Sequence, residues 1–194
     1  MTRKNVAPAL ILSLIFVPTV LAMAKGTAPA ASSPSPKSEV ARGKYLVTVM
    51  LCNDCHTPFK VGPQGPEPDM TRMLSGHPSD LVMPPVPPLP QGAWQWIGAG
   101  TNTAFAGPWG VSFTANLTPD AETGLGGWTP EMFIQALKTG KHQGKGRPIL
   151  PPMPYSFISK LTDADLRAVF AYLQSIPAIS NKVPAPLDPE PAER

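Results

Sequence analysis

The chain is poor in charge and in cysteine, and it has no run of concentrated basic side chains. Only 15% of its 194 residues are charged, with 16 Lys and Arg against 13 Asp and Glu. A nucleic-acid partner calls for a basic stripe or cluster, and none is present, so that class is set aside. Two cysteines are too few to supply a four-cysteine zinc site. No acid/base or nucleophile constellation is visible either. What the chain has in excess is punctuation. With 27 Pro and 16 Gly, much of it must be loop or extended segment.

Both cysteines fall in one stretch, Cys52-Asn53-Asp54-Cys55-His56. C-x-x-C-H is the attachment signature of c-type haem. Two thiols at this spacing lie on one side of a helical turn, where they can add to the two vinyl groups of one porphyrin. The adjacent His56 then sits under the iron as proximal ligand. A zinc site would need two further Cys or His ligands at matching spacing. A thioredoxin-type C-x-x-C needs no following His, and no βαβ pattern surrounds this one.

The N-terminus supports that reading. Arg3 and Lys4 precede a mainly apolar stretch from Val6 to Leu21, and Ala22-Met23-Ala24 is an A-x-A site. Residues 1–24 are expected to be a signal peptide that sends the protein to the periplasm. An uncleaved membrane anchor is the competing reading, weakened by Pro8, Ser13, Pro18 and Thr19. Cleavage after Ala24 would leave 14 basic and 13 acidic side chains, a net charge of +1. Residues 25–38 are rich in Ala, Pro and Ser and read as a linker.

Helical signals come at three places. Val40, Tyr45, Leu46, Val49 and Met50 approach helical spacing after Ser38, an expected N-cap. Gly43 inside that helix costs about 1 kcal/mol against Ala, which close contact with another helix would explain. Thr129 and Pro130 open a second helix carrying Met132, Phe133, Ala136 and Leu137, and Gly140 closes it. Thr162 with Asp165 opens a third, whose apolar face is Leu166, Val169, Phe170, Tyr172 and Leu173. Between the first two lies residues 58–110, so dense in proline that neither a long helix nor a central strand is expected there. An irregular insertion is expected instead, wrapping the haem edge or lining a partner surface. From Ala178 the chain reads as a Pro-rich tail with little to pack.

A haem held by His56 has one axial position left. The candidates are Met50, Met70, Met73, Met83, Met132, Met153, His77 and His142. Most Met residues are core filler. Met153 stands apart, because Pro151-Pro152-Met153-Pro154 is a stiff, non-helical loop between two expected helices. His77 and His142 remain the alternatives.

The ordered set of motifs resembles the class I, mono-haem c-type cytochrome, in the form found in bacterial cytochrome c subunits associated with dehydrogenases. The residues that carry it are Arg42 to Leu46, Cys52 to Thr57, Asn116 to Asp120, Thr123 to Thr129, Pro152 to Tyr155, and Leu161 to Leu166 leading to Ala171-Tyr172-Leu173. The resemblance implies an all-α fold over residues 39–184, with helices around one covalently attached haem c and the 58–110 insertion as a departure. It implies that the first and last helices cross near Gly43 and Tyr172, and that Met153 is the distal ligand. Residues 185–194 would be a Pro-rich tail. The implied function is electron transfer through Cys52, Cys55, His56 and Met153, between a periplasmic dehydrogenase and another cytochrome or a terminal oxidase. Two other readings are a haem enzyme or gas sensor with an open sixth site, and a subunit that stays docked in a larger complex.

Overall fold

Ser35 and Pro36 start the first helix of the computed structural model, which describes residues 35–88 and 95–189. The expected signal peptide 1–24, the linker up to residue 34, Pro90, Trp94 and the tail beyond 189 lie outside the described residues. Helix α1 spans Pro36–Val49, and the Ser35 hydroxyl accepts from the Ser38 N–H at 3.3 Å. It begins ahead of the expected Glu39. Ser35-Pro36 is the same N-cap and first-turn proline pairing that Thr129-Pro130 makes, hidden by the Ala/Pro/Ser composition before it.

At Leu51 the backbone turns left-handed, with φ 58°, and the short helix α2, Cys52–His56, follows at a new angle. Helix α3, Pro130–Thr139, is capped by Thr129, whose hydroxyl accepts from the Met132 N–H at 3.2 Å. Its C-cap Gly140 has φ 67°, a conformation in which a Cβ is disfavoured. Helix α4 is Tyr155–Ile158, and α5 is Asp163–Ser175, capped by Thr162.

Helices α1 and α5 cross as expected. A Cβ on Gly43 would overlap the Ala168 carbonyl oxygen and stand 2.8 Å from the Tyr172 Cβ. The missing side chain is what lets the two backbones touch. Leu46 and Val47 of α1, Phe133, Ile134 and Leu137 of α3, and Leu166, Val169, Phe170 and Leu173 of α5 form one core. Each such side chain, fully buried, contributes on the order of 1.5–3 kcal/mol.

The all-α expectation is wrong. Besides its five α-helices, the described chain holds two antiparallel sheets, so the fold is mixed α/β. The first is a hairpin, β1 (Phe59–Gly62) with β2 (Gly65–Pro68). The second has three strands in sequence order, β3 (Ile97–Gly98), β4 (Ala104–Gly107) and β5 (Gly110–Phe113). All five lie in or beside the segment read as irregular. Proline does exclude long central strands there. It does not exclude strands of four residues or fewer, and Pro66 and Pro68 sit in a ribbon whose strands are both edges. The stretch is therefore ordered, and Ala104, Phe105, Ala106 and Val111 are buried.

The tail also departs from expectation. Leu187 exchanges backbone hydrogen bonds with Val111 of β5, both 2.9 Å. Asn181 is buried, donating to the carbonyls of Ser75 (2.7 Å) and His77 (2.9 Å) and accepting from the Ser79 N–H (2.9 Å). The tail thus clasps the insertion against the helices.

Candidate functional site

The left-handed turn at Leu51 presents α2 so that its three functional side chains have different surroundings. Cys52 is half-buried against the hydrophobic core, and Cys55 is half-buried. Both are free thiols. Burial pushes the Cys52 thiol up to about 11, reinforced by the nearby Cys55 and Asp54 and opposed by a backbone hydrogen bond. Cys55 is also raised, by burial first and Asp54 second. Such thiols stay protonated at neutral pH. Among the described residues, no three His, Cys, Asp or Glu side chains converge as ligands for a bare metal ion.

His56 is buried, and its Nδ1 lies 2.8 Å from the Ala115 carbonyl oxygen. A carbonyl only accepts, so Nδ1 carries the proton and Nε2 keeps its lone pair. Among the described residues Nε2 has no hydrogen-bond partner. Burial holds the imidazole below its ordinary pKa, with the Ala115 carbonyl partly offsetting it. A neutral ring, oriented by a backbone acceptor, is the usual preparation of a metal-ligating histidine.

Met153 packs half-buried against the same core that Cys52 touches. Its loop is tied at several points. The Ile149 N–H donates to the Gly140 carbonyl at 2.8 Å, the Met153 N–H to Leu150 at 3.3 Å, and the Tyr155 N–H to Met153 at 2.9 Å. From β5, the Ser112 hydroxyl donates to the Pro151 carbonyl at 2.6 Å.

Both histidines among the other axial candidates have surroundings of their own. His77 is fully enclosed, its Nε2 donating to the Leu81 carbonyl at 3.3 Å and its Nδ1 accepting from the Thr103 hydroxyl at 2.9 Å. Its ring also packs 4.8 Å from Phe113. It serves the insertion. His142 stands edge-on to Trp128, with ring centroids 5.0 Å apart. Met50 and Met73 pack against the core, and Met70 is exposed.

These residues fit a covalent haem in donor chemistry: two free thiols one turn apart, an imidazole with a bare Nε2, and a thioether on a stiff loop. Two further groups, Trp109 Nε1 and Thr114 Oγ1, are buried without a partner among the described residues. Haem carboxylates have the acceptor chemistry that both could use. Sequence reasoning missed Ala115 and Ser112. Ala115 acts through its backbone and leaves no side-chain signal. Ser112 is one hydroxyl on a strand that was not foreseen.

A buried imidazole with two thiols on its own helix is a donor set that suits a c-type haem, and comparison with known proteins bears on that reading. No family model matches the chain. A stretch of 148 residues is 26% identical to the fructose dehydrogenase cytochrome subunit of Gluconobacter japonicus, covering 74% of this chain and 23% of that protein. Another of 80 residues is 38% identical to the cytochrome c subunit of the quinone alcohol dehydrogenase of Gluconobacter oxydans, covering 40% of this chain and 16% of that one. The gluconate 2-dehydrogenase cytochrome c subunit of Pantoea cypripedii is 34% identical over 68 residues, 35% of this chain and 15% of the relative. The chain therefore resembles cytochrome c subunits of dehydrogenases, and the likeness implies haem c. It spans less than a quarter of the length of these relatives.

Proposed function

We propose that this protein is an electron-transfer subunit or carrier, not a catalyst, holding one haem c through thioethers to Cys52 and Cys55. His56 would be the proximal ligand and Met153 the distal one. The single observation that carries this is the Ala115 carbonyl held 2.8 Å from His56 Nδ1, which leaves Nε2 bare beside two free thiols. The bound group would supply a one-electron Fe(III)/Fe(II) couple. The chain's own residues do the rest. Ala115 fixes the His56 tautomer and raises its basicity, and the proline-braced loop holds the Met153 sulfur at one place. The surrounding core lowers the local dielectric, which with a neutral thioether favours the reduced state and a relatively high potential.

An enzyme or sensor would need a free polar group over the iron. Of the two histidines available, His77 has both ring nitrogens engaged, and His142 stands edge-on to Trp128. The donor is then a dehydrogenase, as the relatives' names suggest, and the acceptor another cytochrome or an oxidase. Export to the periplasm rests on the sequence of residues 1–24. Among the described residues no helix is long and apolar enough to cross a membrane.

The test is mass spectrometry of the denatured, haem-loaded protein from a periplasmic fraction. The expected chain starts at Lys25 and carries the mass of one haem. A Cys52→Ala, Cys55→Ala double variant should lose haem on acid extraction. Haem that extracts freely from the wild type would refute the attachment.

A further inference from the structure

We propose that the β4–β5 hairpin, with the residues flanking it, is a strap across one edge of the haem that closes this edge to solvent and to small oxidants. This deepens the electron-transfer reading and rests on it.

Three contacts place the strap. Ahead of β4, the Asn102 side-chain amide donates to the carbonyl of Asp54, in α2 between the two cysteines, at 2.6 Å. In β5, the Ser112 hydroxyl donates to the carbonyl of Pro151, two residues before Met153, at 2.6 Å. Just beyond β5, the Ala115 carbonyl accepts from His56 Nδ1 at 2.8 Å. One hairpin thus touches both the helix that carries His56 and the loop that carries Met153. A flat macrocycle ligated by those two residues lies between the helix and the loop. A segment that joins both anchors must pass the rim of that plane. From Ser112 to Ala115 the extended chain spans ~10 Å, at ~3.3 Å per residue, enough to cross from one face to the other.

The strap turns a defined face inward. Successive side chains of a strand point to opposite faces. Phe113 points to the His77 ring, with centroids 4.8 Å apart. Ser112 and Thr114 therefore point the other way, towards the Met153 loop. Thr114 continues the pairing of the hairpin, its N–H donating to the Thr103 carbonyl at 2.9 Å. Its Oγ1 is buried without a partner among the described residues. A hydroxyl on the inner face of a strap has this setting, because it meets the bound group and no protein atom.

The other side is braced. The Thr103 hydroxyl donates to His77 Nδ1 at 2.9 Å, and Asn181 of the tail holds the His77 carbonyl at 2.9 Å. Thr103, Ala104, Phe105, Ala106, Val111 and Ser112 are all buried. A stiff, dry strap keeps water from the haem edge and lowers the local dielectric, which disfavours the more highly charged ferric state.

The experiment is proton–nitrogen NMR of the haem-loaded protein in its ferrous and ferric states. The unpaired ferric electron shifts nearby nuclei, and the effect falls steeply with distance. The amides of Asn102, Thr103, Thr114 and Ala115 should shift between the two states as much as those of α2. The amide of Val61, exposed on the β1–β2 hairpin, should barely move. Asn102→Ala then frees the strap from α2 without touching a proposed ligand or the Met153 loop. It should speed oxidation of the reduced protein several-fold by both ferricyanide and tris(phenanthroline)cobalt(III), oxidants of opposite charge. It should also raise the Fe(III)/Fe(II) ratio at a fixed electrode potential, with the sulfur-to-iron band retained. Redox-dependent shifts over residues 102–115 no larger than at Val61 would overturn the strap and leave the electron-transfer reading standing. Asn102→Ala rates equal to wild type with both oxidants would overturn the closing of the edge. A wild type that carries no covalent haem would remove both readings.

Discussion

Single residues set the site through atoms that a side-chain reading does not weigh. His56 is prepared by a backbone carbonyl, and Gly43 matters for what it lacks. Replacing Gly43 with Val should destabilise the protein by roughly 2–4 kcal/mol, because a side chain there overlaps the Ala168 carbonyl and one helix must move. Chemical denaturation of the loaded protein measures it, and a cost below that of an ordinary surface change would contradict the crossing. His77 gives a pH signature. Burial holds its pKa below the ordinary value, against the opposing influence of the Leu81 carbonyl and Asp80. The unfolded chain regains the ordinary value, about 6.5. Between the two, the unfolded state binds the extra proton, so stability rises with pH. The contribution is complete above the unfolded value and is lost as pH falls through the folded one. Unfolding free energies from neutral to mildly acidic pH should therefore drop less steeply in His77→Gln than in wild type. Parallel curves would refute this role.

At the level of elements, the three long helices were legible, while α4 and the strands were not. Thr129-Pro130 and Thr162 with Asp165 are caps whose chemistry works locally, and α3 and α5 start where those residues stand. Ser35-Pro36 carried the same signal for α1 and was obscured by its neighbours. Strands of two to four residues are too short for a period of two to emerge. A turn signal was present all the same. Gly62-Pro63-Gln64-Gly65 and Gly107-Pro108-Trp109-Gly110 share a G-P-x-G pattern, and each joins two antiparallel strands. The thiols and His56 stand out in sequence because C-x-x-C-H has a fixed spacing. The tether of Met153 could not, since Ser112 and Pro151 are far apart in sequence and meet only through β5. Ser112→Ala should cost about 1 kcal/mol and loosen the Met153 loop. Imidazole should then displace the native distal ligand at lower concentration than in wild type, read from the haem spectrum. An unchanged imidazole titration would mean that β5 does not steady the loop.

For the whole molecule, the insertion is a second layer stitched to the helical core by the tail. Asn181 alone satisfies Ser75, His77 and Ser79 backbone groups. Asn181→Ala should leave buried polar groups unpaired and cost about 2–3 kcal/mol, with hydrogen exchange rising first over residues 75–79. Protection there equal to wild type would contradict the clasp. The resulting mixed α/β body resembles cytochrome c subunits of dehydrogenases in sequence, and the haem proposed for it is closed and six-coordinate, between His56 and Met153. The most direct test of that central claim is the near-infrared spectrum of the oxidised, haem-loaded protein, taken with carbon monoxide binding to the reduced form. Wild type is expected to show the weak sulfur-to-iron band and no rapid carbon monoxide binding, and Met153→Ala to lose the band and bind the gas. A band that survives in Met153→Ala, or a wild type that lacks it and binds carbon monoxide at once, would contradict the closed site.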